Sequence, residues 1–159
     1  MAITIRQAQT ADAPGIVSVV GELLNEIIAA IDSKVFGFDP AETEARARAW
    51  MADRLYTVLL VHTDGASTAI GFLALYESFA LYAEGAFGTI PELYVRQDFR
   101  SQGVGARLVA EAKQFSTAKR WTRLEVTTPP LPQFEHALTF YTRQEFSISG
   151  GRKMKVDLP

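Results

Sequence analysis

Leu93-Tyr94-Val95-Arg96-Gln97-Asp98-Phe99-Arg100-Ser101-Gln102-Gly103-Val104-Gly105-Ala106-Arg107-Leu108-Val109 is the stretch that decides the fold. It reads as a strand, a tight loop and a helix. Leu93, Tyr94 and Val95 suit a buried strand end. Val104, Leu108, Ala112 and Phe115 recur at helical spacing, and Val109 widens the apolar stripe. Between the two, Gly103 and Gly105 remove Cβ atoms where the helix begins, so several backbone N–H groups point out of its first turn unobstructed. Those groups lack intrahelical partners and carry the positive end of the helix dipole, which suits a phosphate or diphosphate. Arg100 and Arg107 add full charges beside it. The plainer alternative is a glycine-softened loop that lets helix and strand pack closely.

The spacing departs from a Walker loop, because no Lys-Ser or Lys-Thr follows the second glycine. It departs from the dinucleotide fingerprint too, since Leu108 holds the third glycine position. Arg100-Ser101-Gln102-Gly103-Val104-Gly105, following a strand that ends Leu-Tyr-Val, resembles the acyl-CoA pyrophosphate loop of the GNAT superfamily, the acetyl-CoA-dependent N-acetyltransferases. That loop's pattern is Gln/Arg-x-x-Gly-x-Gly/Ala. A second block, Ala137-Leu138-Thr139-Phe140-Tyr141-Thr142-Arg143-Gln144-Glu145-Phe146, is similar to the family's Ala-x-x-Phe-Tyr-x-x-x-Gly-Phe element. It departs twice: Phe134 stands where many relatives carry an Asn that touches the cofactor, and Glu145 replaces the glycine before Phe146.

Composition bounds what else the chain can be. Its 159 residues allow one domain with a substantial core, residues 1–159, and leave little room for two. A 48% hydrophobic and 21% charged content is that of an ordinary globular protein. With 16 basic and 18 acidic residues, net −2, there is no electrostatic footprint for nucleic acid. No cysteine is present, so disulfides and thiol nucleophiles drop out. Residues 1–6 lack a signal-peptide layout, and no apolar run approaches bilayer length. The expectation is a cytoplasmic protein with no membrane partner.

Taken in order, Ile3-Thr4-Ile5-Arg6 alternates as a first strand. Thr10 and Asp12 offer caps to a helix carrying Ile16, Val20, Leu23, Ile27 and Ile31 on one face and failing near Asp32-Ser33. Phe36-Gly37-Phe38 forms an aromatic loop, and Asp39-Pro40-Ala41-Glu42 starts a second helix that runs to about Arg54. Strands follow at residues 56–62 and 69–76, joined through Asp64-Gly65. A fourth runs to Val95, with Pro91 either preceding it or interrupting its pairing. Residues 123–127 form a fifth strand, stopped by Thr128-Pro129-Pro130-Leu131-Pro132. The last helix carries Phe134, Ala137, Leu138 and Tyr141 on one side. Phe146-Ser147-Ile148 and residues 153–158 read as final strands.

The resemblance, which spans essentially the whole chain, implies an α/β (α+β) fold with a mixed central sheet of six to seven strands. About four helices would flank it, and it would splay between the fourth and fifth strands. It implies acetyl-CoA as co-substrate, no metal, and acetyl transfer by direct attack of a small-molecule or amino-acid-like amine. Arg100, Ser101, Gln102, Gly103, Val104, Gly105 and Ala106 would surround the diphosphate. Leu93, Tyr94 and Val95 would offer backbone groups to the pantetheine and thioester, and the N–H of Tyr94 or Val95 would stabilise the oxyanion. Tyr141 takes the place of the tyrosine that protonates the departing thiolate. Its reference pKa of about 10, against about 8.5 for a thiol, makes full transfer uphill by roughly 2 kcal/mol. Hydrogen-bonding the thiolate is the safer description of its part.

Glu92 is the base candidate, because an alkylamine is protonated at neutral pH and something must take its proton. Strand alternation sets Glu92 on the face of Ile90 and Tyr94. A charge at a strand entrance is the equal alternative. His62 and His136 have no local metal spacing and read as structural. Phe36, Phe38, Tyr76, Phe79, Tyr82 and Phe87 are candidates to wall an acceptor pocket, with Glu77 and Glu84 drawing in a cation. A non-catalytic acyl-CoA-binding module, or a protein or peptide amine as acceptor, stays open, as does another phosphate ligand. Homodimers are common in the family.

Overall fold

A computed structural model of the chain describes residues 1–32, 37–129 and 133–159. Phe36 of the aromatic loop and the Pro130-Leu131-Pro132 stop lie outside the described residues. The elements are β1 (Ile3–Gln7), α1 (Ala13–Ile31), α2 (Pro40–Ala52), β2 (Thr57–Thr63), β3 (Ala69–Ser78), β4 (Phe87–Ile90) and β5 (Leu93–Val95). After them come α3 (Val104–Ala118), β6 (Leu124–Val126) and α4 (Glu135–Arg143). The six strands make one mixed sheet in the order β1-β2-β3-β4-β6, with β5 also paired to β3. All pairings are antiparallel except β4 with β6, whose connection passes through α3.

Each face of the sheet buries its own core. On one side Leu59, Val61, Leu73, Leu75, Ile90 and Val95 meet Val104, Leu108, Val109 and Ala112 of α3. On the other, Val58, Leu60, Phe72, Ala74 and Tyr94 meet Ile16 and Val19 of α1. Alternation along β2 and β3 sends neighbouring residues to opposite cores, which is why both strands read as continuous apolar runs. Leu73 and Leu108 are fully buried; truncating either to Ala costs about 2–5 kcal/mol.

Helix ends follow local chemistry. Asp39 caps α2 by accepting from the Glu42 N–H at 2.8 Å, with Pro40 in the first turn. Asp32 ends α1 in the left-handed conformation. Asp12 spends its carboxylate on the Gln9 N–H and the Arg6 guanidinium and gives no cap to α1. Thr10–Ile31 is long and apolar enough to cross a membrane by length and composition, against the expectation that no run approaches that length. In this structure it lies along the sheet, burying Ala13, Ile16, Val19, Gly21 and Ile27. Its Glu22 and Glu26 pair with Arg96 and Arg100.

At the strand level one open alternative is settled, in favour of an interruption at Pro91, and one expectation is corrected. The fourth strand is two, β4 and β5, separated by Pro91-Glu92. The register explains it: Tyr76 faces Thr89 while Leu73 faces Leu93, so the β4–β5 side holds one residue more than β3 does. Pro91 is that residue, with Glu92 bonded back to Ala74, and the bulge accommodates a proline that cannot donate. The final strands at residues 146–148 and 153–158 do not form: residues 144–159 hold neither helix nor strand. Their alternation is real, but Met154, Val156 and Leu158 are all at least 81% exposed. With no strand neighbour among the described residues, and no apolar face buried over residues 153–158, alternation alone does not make a strand.

Candidate active site

The loop between β5 and α3 is shaped by two left-handed residues, Ser101 (φ 60°) and Gly103 (φ 82°). Gly103 is exposed, and a Cβ placed there would have no atom within 4 Å. The Arg107 N–H closes the first turn of α3 on the Gly103 carbonyl at 3.1 Å. Among the described residues, the N–H groups of Val104, Gly105 and Ala106 have no protein acceptor. They form the open positive end of a four-turn helix, a fit for a diphosphate. Gly105 serves a different purpose. A Cβ there would stand 3.1 Å from the Phe140 ring, so the missing side chain is what lets α4 lie against the start of α3.

Arg100, expected beside the phosphate, is committed elsewhere. Its Nη1 and Nη2 donate to both Glu26 oxygens at 2.7 and 2.6 Å, its Nε donates to the Val95 carbonyl at 2.7 Å, and it lies over the Tyr94 ring. The side chain therefore straps the loop to α1 and β5. Arg107 is exposed, and Gln102 donates to the Asp98 carbonyl.

The antiparallel ladder decides which β5 amides are free. Ala74 N–H donates to the Glu92 carbonyl at 2.9 Å, and Arg96 N–H donates to the Ile70 carbonyl at 2.8 Å. Hydrogen-bonded residues alternate along such a pair, so Tyr94 also turns its N–H and C=O towards β3. Leu93 and Val95 turn theirs away, as the Arg100 bond to the Val95 carbonyl shows. Among the described residues no strand covers that edge, because β6 pairs with β4 only as far as Ile90 and Val126. Between β5 and β6 the sheet opens. Of the two expected oxyanion donors, the ladder removes Tyr94 and leaves Val95.

The same bulge moves Glu92. Ile90 belongs to the α3-side core, whereas Ala74 and Tyr94 belong to the α1-side core. Glu92 lies opposite Ala74 and so shares Tyr94's face but not Ile90's, correcting the simple alternation. There its carboxylate accepts from the Tyr56 hydroxyl. Burial pushes the Glu92 carboxyl above the usual carboxylate range, with the Tyr56 hydrogen bond opposing in part. Tyr56 itself is driven far up by burial and by the neighbouring Glu92 charge. Its ring stacks on Tyr76 at 6.3 Å and meets Trp50 of α2 at 5.5 Å. Neither Tyr56 nor Trp50 was picked out by the sequence. The one available signal was Tyr56 at the head of a strand predicted to pair with the strand of Tyr76.

Tyr141 belongs to the other side. It is buried against Phe140 and Phe146, which both pack on the α3-side core. Burial pushes its hydroxyl up to about 12. Glu92 and Tyr141 thus approach from opposite faces, with the opening between β5 and β6 as the passage through the sheet.

The expected aromatic pocket disperses. Phe38 packs on Gly21 of α1, Phe87 is buried with Arg123 over its ring at 4.2 Å, and Phe79 and Tyr82 are exposed. Glu77 accepts from the Trp121 indole, and Glu84 is exposed. Among the described members of that set, Tyr76 alone stacks on Tyr56, the partner of Glu92.

Comparison with known proteins fits this geometry. No curated protein matches the chain. Solved structures do, at identities that speak for the fold. One is an aminoglycoside acetyltransferase, meta-AAC0020, from an uncultured soil metagenomic sample, in complex with sisomicin. It is 18% identical with a TM-score of 0.77, covering 99% of this chain and 97% of that one. Another is the integron cassette protein HFX_CASS3 from the mobile metagenome of Cole Harbour Salt Marsh (21% identity, TM-score 0.78, 98% and 90% coverage). A third is a ribosomal-protein-alanine N-acetyltransferase from Brucella melitensis biovar Abortus 2308 (16% identity, TM-score 0.72, 99% and 100% coverage). The model of the acetyltransferase (GNAT) domain matches residues 54–148, more than half of the chain, and takes in the loop, the opened sheet and α4. The chain belongs to the GNAT acetyltransferase family.

Proposed function

We propose that this protein is a cytoplasmic N-acetyltransferase that moves the acetyl group of acetyl-CoA onto a small primary amine. The observation that carries the reading is the row of unclaimed N–H groups at the start of α3, in the segment that follows Val95 at the opened sheet edge. Acetyl-CoA supplies a thioester: the amine nitrogen forms the new C–N bond, the C–S bond breaks, the sulfur leaves as thiolate and the nitrogen sheds a proton.

In this reading residues 101–106 hold the diphosphate through their backbone, and Arg100 fixes the loop from behind. Leu93 and Val95 align the pantetheine arm along the free edge of β5. The Val95 N–H points at the thioester oxygen, where a lost donor costs about 3–4 kcal/mol of barrier. Glu92 takes the amine's proton, directly or through water, and its raised pKa makes it a better base than an ordinary carboxylate. With Tyr141 pushed up to about 12, giving its proton to a thiolate of pKa about 8.5 is uphill by roughly 5 kcal/mol. Tyr141 therefore steadies the thiolate with a hydrogen bond while the sulfur leaves.

Thermal-shift measurements with acetyl-CoA, CoA, ATP and NAD, followed by thiol release over an amine panel, test this. Stabilisation by acetyl-CoA and CoA, with thiol released by some amine, is expected. Stabilisation by ATP or NAD alone contradicts the co-substrate. Silence across small amines despite acetyl-CoA binding leaves a binding module or a protein acceptor.

A further inference from the structure

Glu92 stands out among the carboxylates near the site. Glu22 and Glu26 of α1 each pair with an arginine, Arg96 and Arg100. Glu92 is part-buried and, among the described residues, has no cationic partner and a single side-chain donor, the Tyr56 hydroxyl. A buried carboxylate ordinarily obtains a counter-charge or gives up its own charge. Tyr56 supplies one hydrogen bond, while a carboxylate accepts about four.

The rings around it complete the setting. The β2–β3 register, Thr57 opposite Leu75, places Tyr56 opposite Tyr76 on the face that Glu92 shares. The two rings are nearly parallel (15°), and Trp50 leans on Tyr56 from α2. Tyr76 is 37% exposed, so one ring of the stack is open to solvent. An ammonium is attracted to aromatic faces as well as to a carboxylate.

We propose that Glu92, Tyr56 and Tyr76 form the seat for the acceptor's ammonium group. Glu92 supplies the counter-charge, the open ring of Tyr76 lies beside the cation, and Tyr56, its ring covered by Tyr76 and Trp50, is the positioning residue that holds the carboxylate towards it. The acceptor class is a singly charged alkyl- or arylalkylamine whose carbon body lies over Tyr76. This rests on the transferase reading, but the seat is tested by binding alone. Tyr56 ahead of β2 donates to Glu92, and the register sets Tyr76 of β3 and Tyr94 of β5 on the same face. The acids of α1 lie towards Tyr94 and are held by their arginines.

The test is calorimetric titration of the CoA-loaded protein with ethylamine, phenethylamine and the neutral phenethyl alcohol, from pH 5 to 9. Phenethylamine is expected to bind at least about tenfold more tightly than the alcohol, the scale of one cation–π contact and ion pair. Glu92→Gln should abolish that preference. Tyr56→Phe should weaken amine binding and move its acid limb upward by about one pH unit, because a donor to the charged carboxylate is lost. A merely structural Tyr56 would leave that limb in place. Failure of both amines to bind, equal affinity for the alcohol, or a preference that survives Glu92→Gln overturns the seat. CoA stabilisation measured on the same samples separates outcomes: if it persists, only the seat fails, and if it is absent, the transferase reading fails.

Discussion

Phe140 of α4 closes over Gly105 of α3, its ring carbons 3.1 Å from where a Cβ would stand. The second glycine of the loop is therefore a packing residue that sets how near α4, and with it Tyr141, comes to the loop. Gly105→Ala gains about 1 kcal/mol of helix propensity but forces Phe140 to yield by tenths of an ångström. The expected outcome is a stability change within about 1 kcal/mol, read by denaturant unfolding, with turnover falling more than acetyl-CoA affinity. Unchanged turnover would detach α4 from the chemistry.

Arg100 and Glu26 make a second test. If Arg100 straps the loop and leaves the phosphates to the backbone, then Glu26→Gln, on a different helix, should weaken acetyl-CoA binding in the same direction as Arg100→Gln. The pair is bidentate but about one-third exposed (35% for both side chains). The direct stability cost of either change is therefore modest, about 1 kcal/mol. Calorimetric affinities for both variants decide it. A large loss for Arg100→Gln with none for Glu26→Gln would put the guanidinium on the phosphate.

Glu145 adopts φ 72° just after α4, the conformation a glycine takes freely. Its side chain offers little in return, being 88% exposed and 3.3 Å from Lys113. Glu145→Gly should stabilise the fold by about 1 kcal/mol, read as a higher denaturation midpoint. A lower midpoint would show that the Lys113 contact outweighs the backbone strain.

These sites mark how far the sequence carried. The loop was legible because its chemistry is local: glycine spacing, a preceding apolar strand and a following helical stripe all lie between Leu93 and Phe115. The helices were legible for the same reason, α2 down to its Asp39 cap. The pairing of Glu92 with Tyr56 spans 36 positions and depends on a bulge at Pro91 that reverses the face of Ile90 relative to Glu92. Strand alternation assumes no bulge and so placed Ile90 wrongly. The Arg100–Glu26 pair was out of reach because charge near a helix N-terminus suggests a ligand, while Glu26 lies 74 positions away. The alternation of residues 153–158 was visible, but a strand also requires an edge to pair with, and periodicity says nothing of that.

The central claim is that the amides at the start of α3 hold the diphosphate of coenzyme A, and Gly103 is where to test it. Acetyl-CoA binding is to be measured by calorimetry for the wild-type protein and Gly103→Glu, with Gly103→Ala as control for the backbone cost of φ 82°. The account predicts saturable binding by wild type, a modest loss for the alanine variant, and a loss of at least about a hundredfold for glutamate, whose charge opposes the phosphates. Equal affinity for wild type and Gly103→Glu, with both proteins folded, would contradict it.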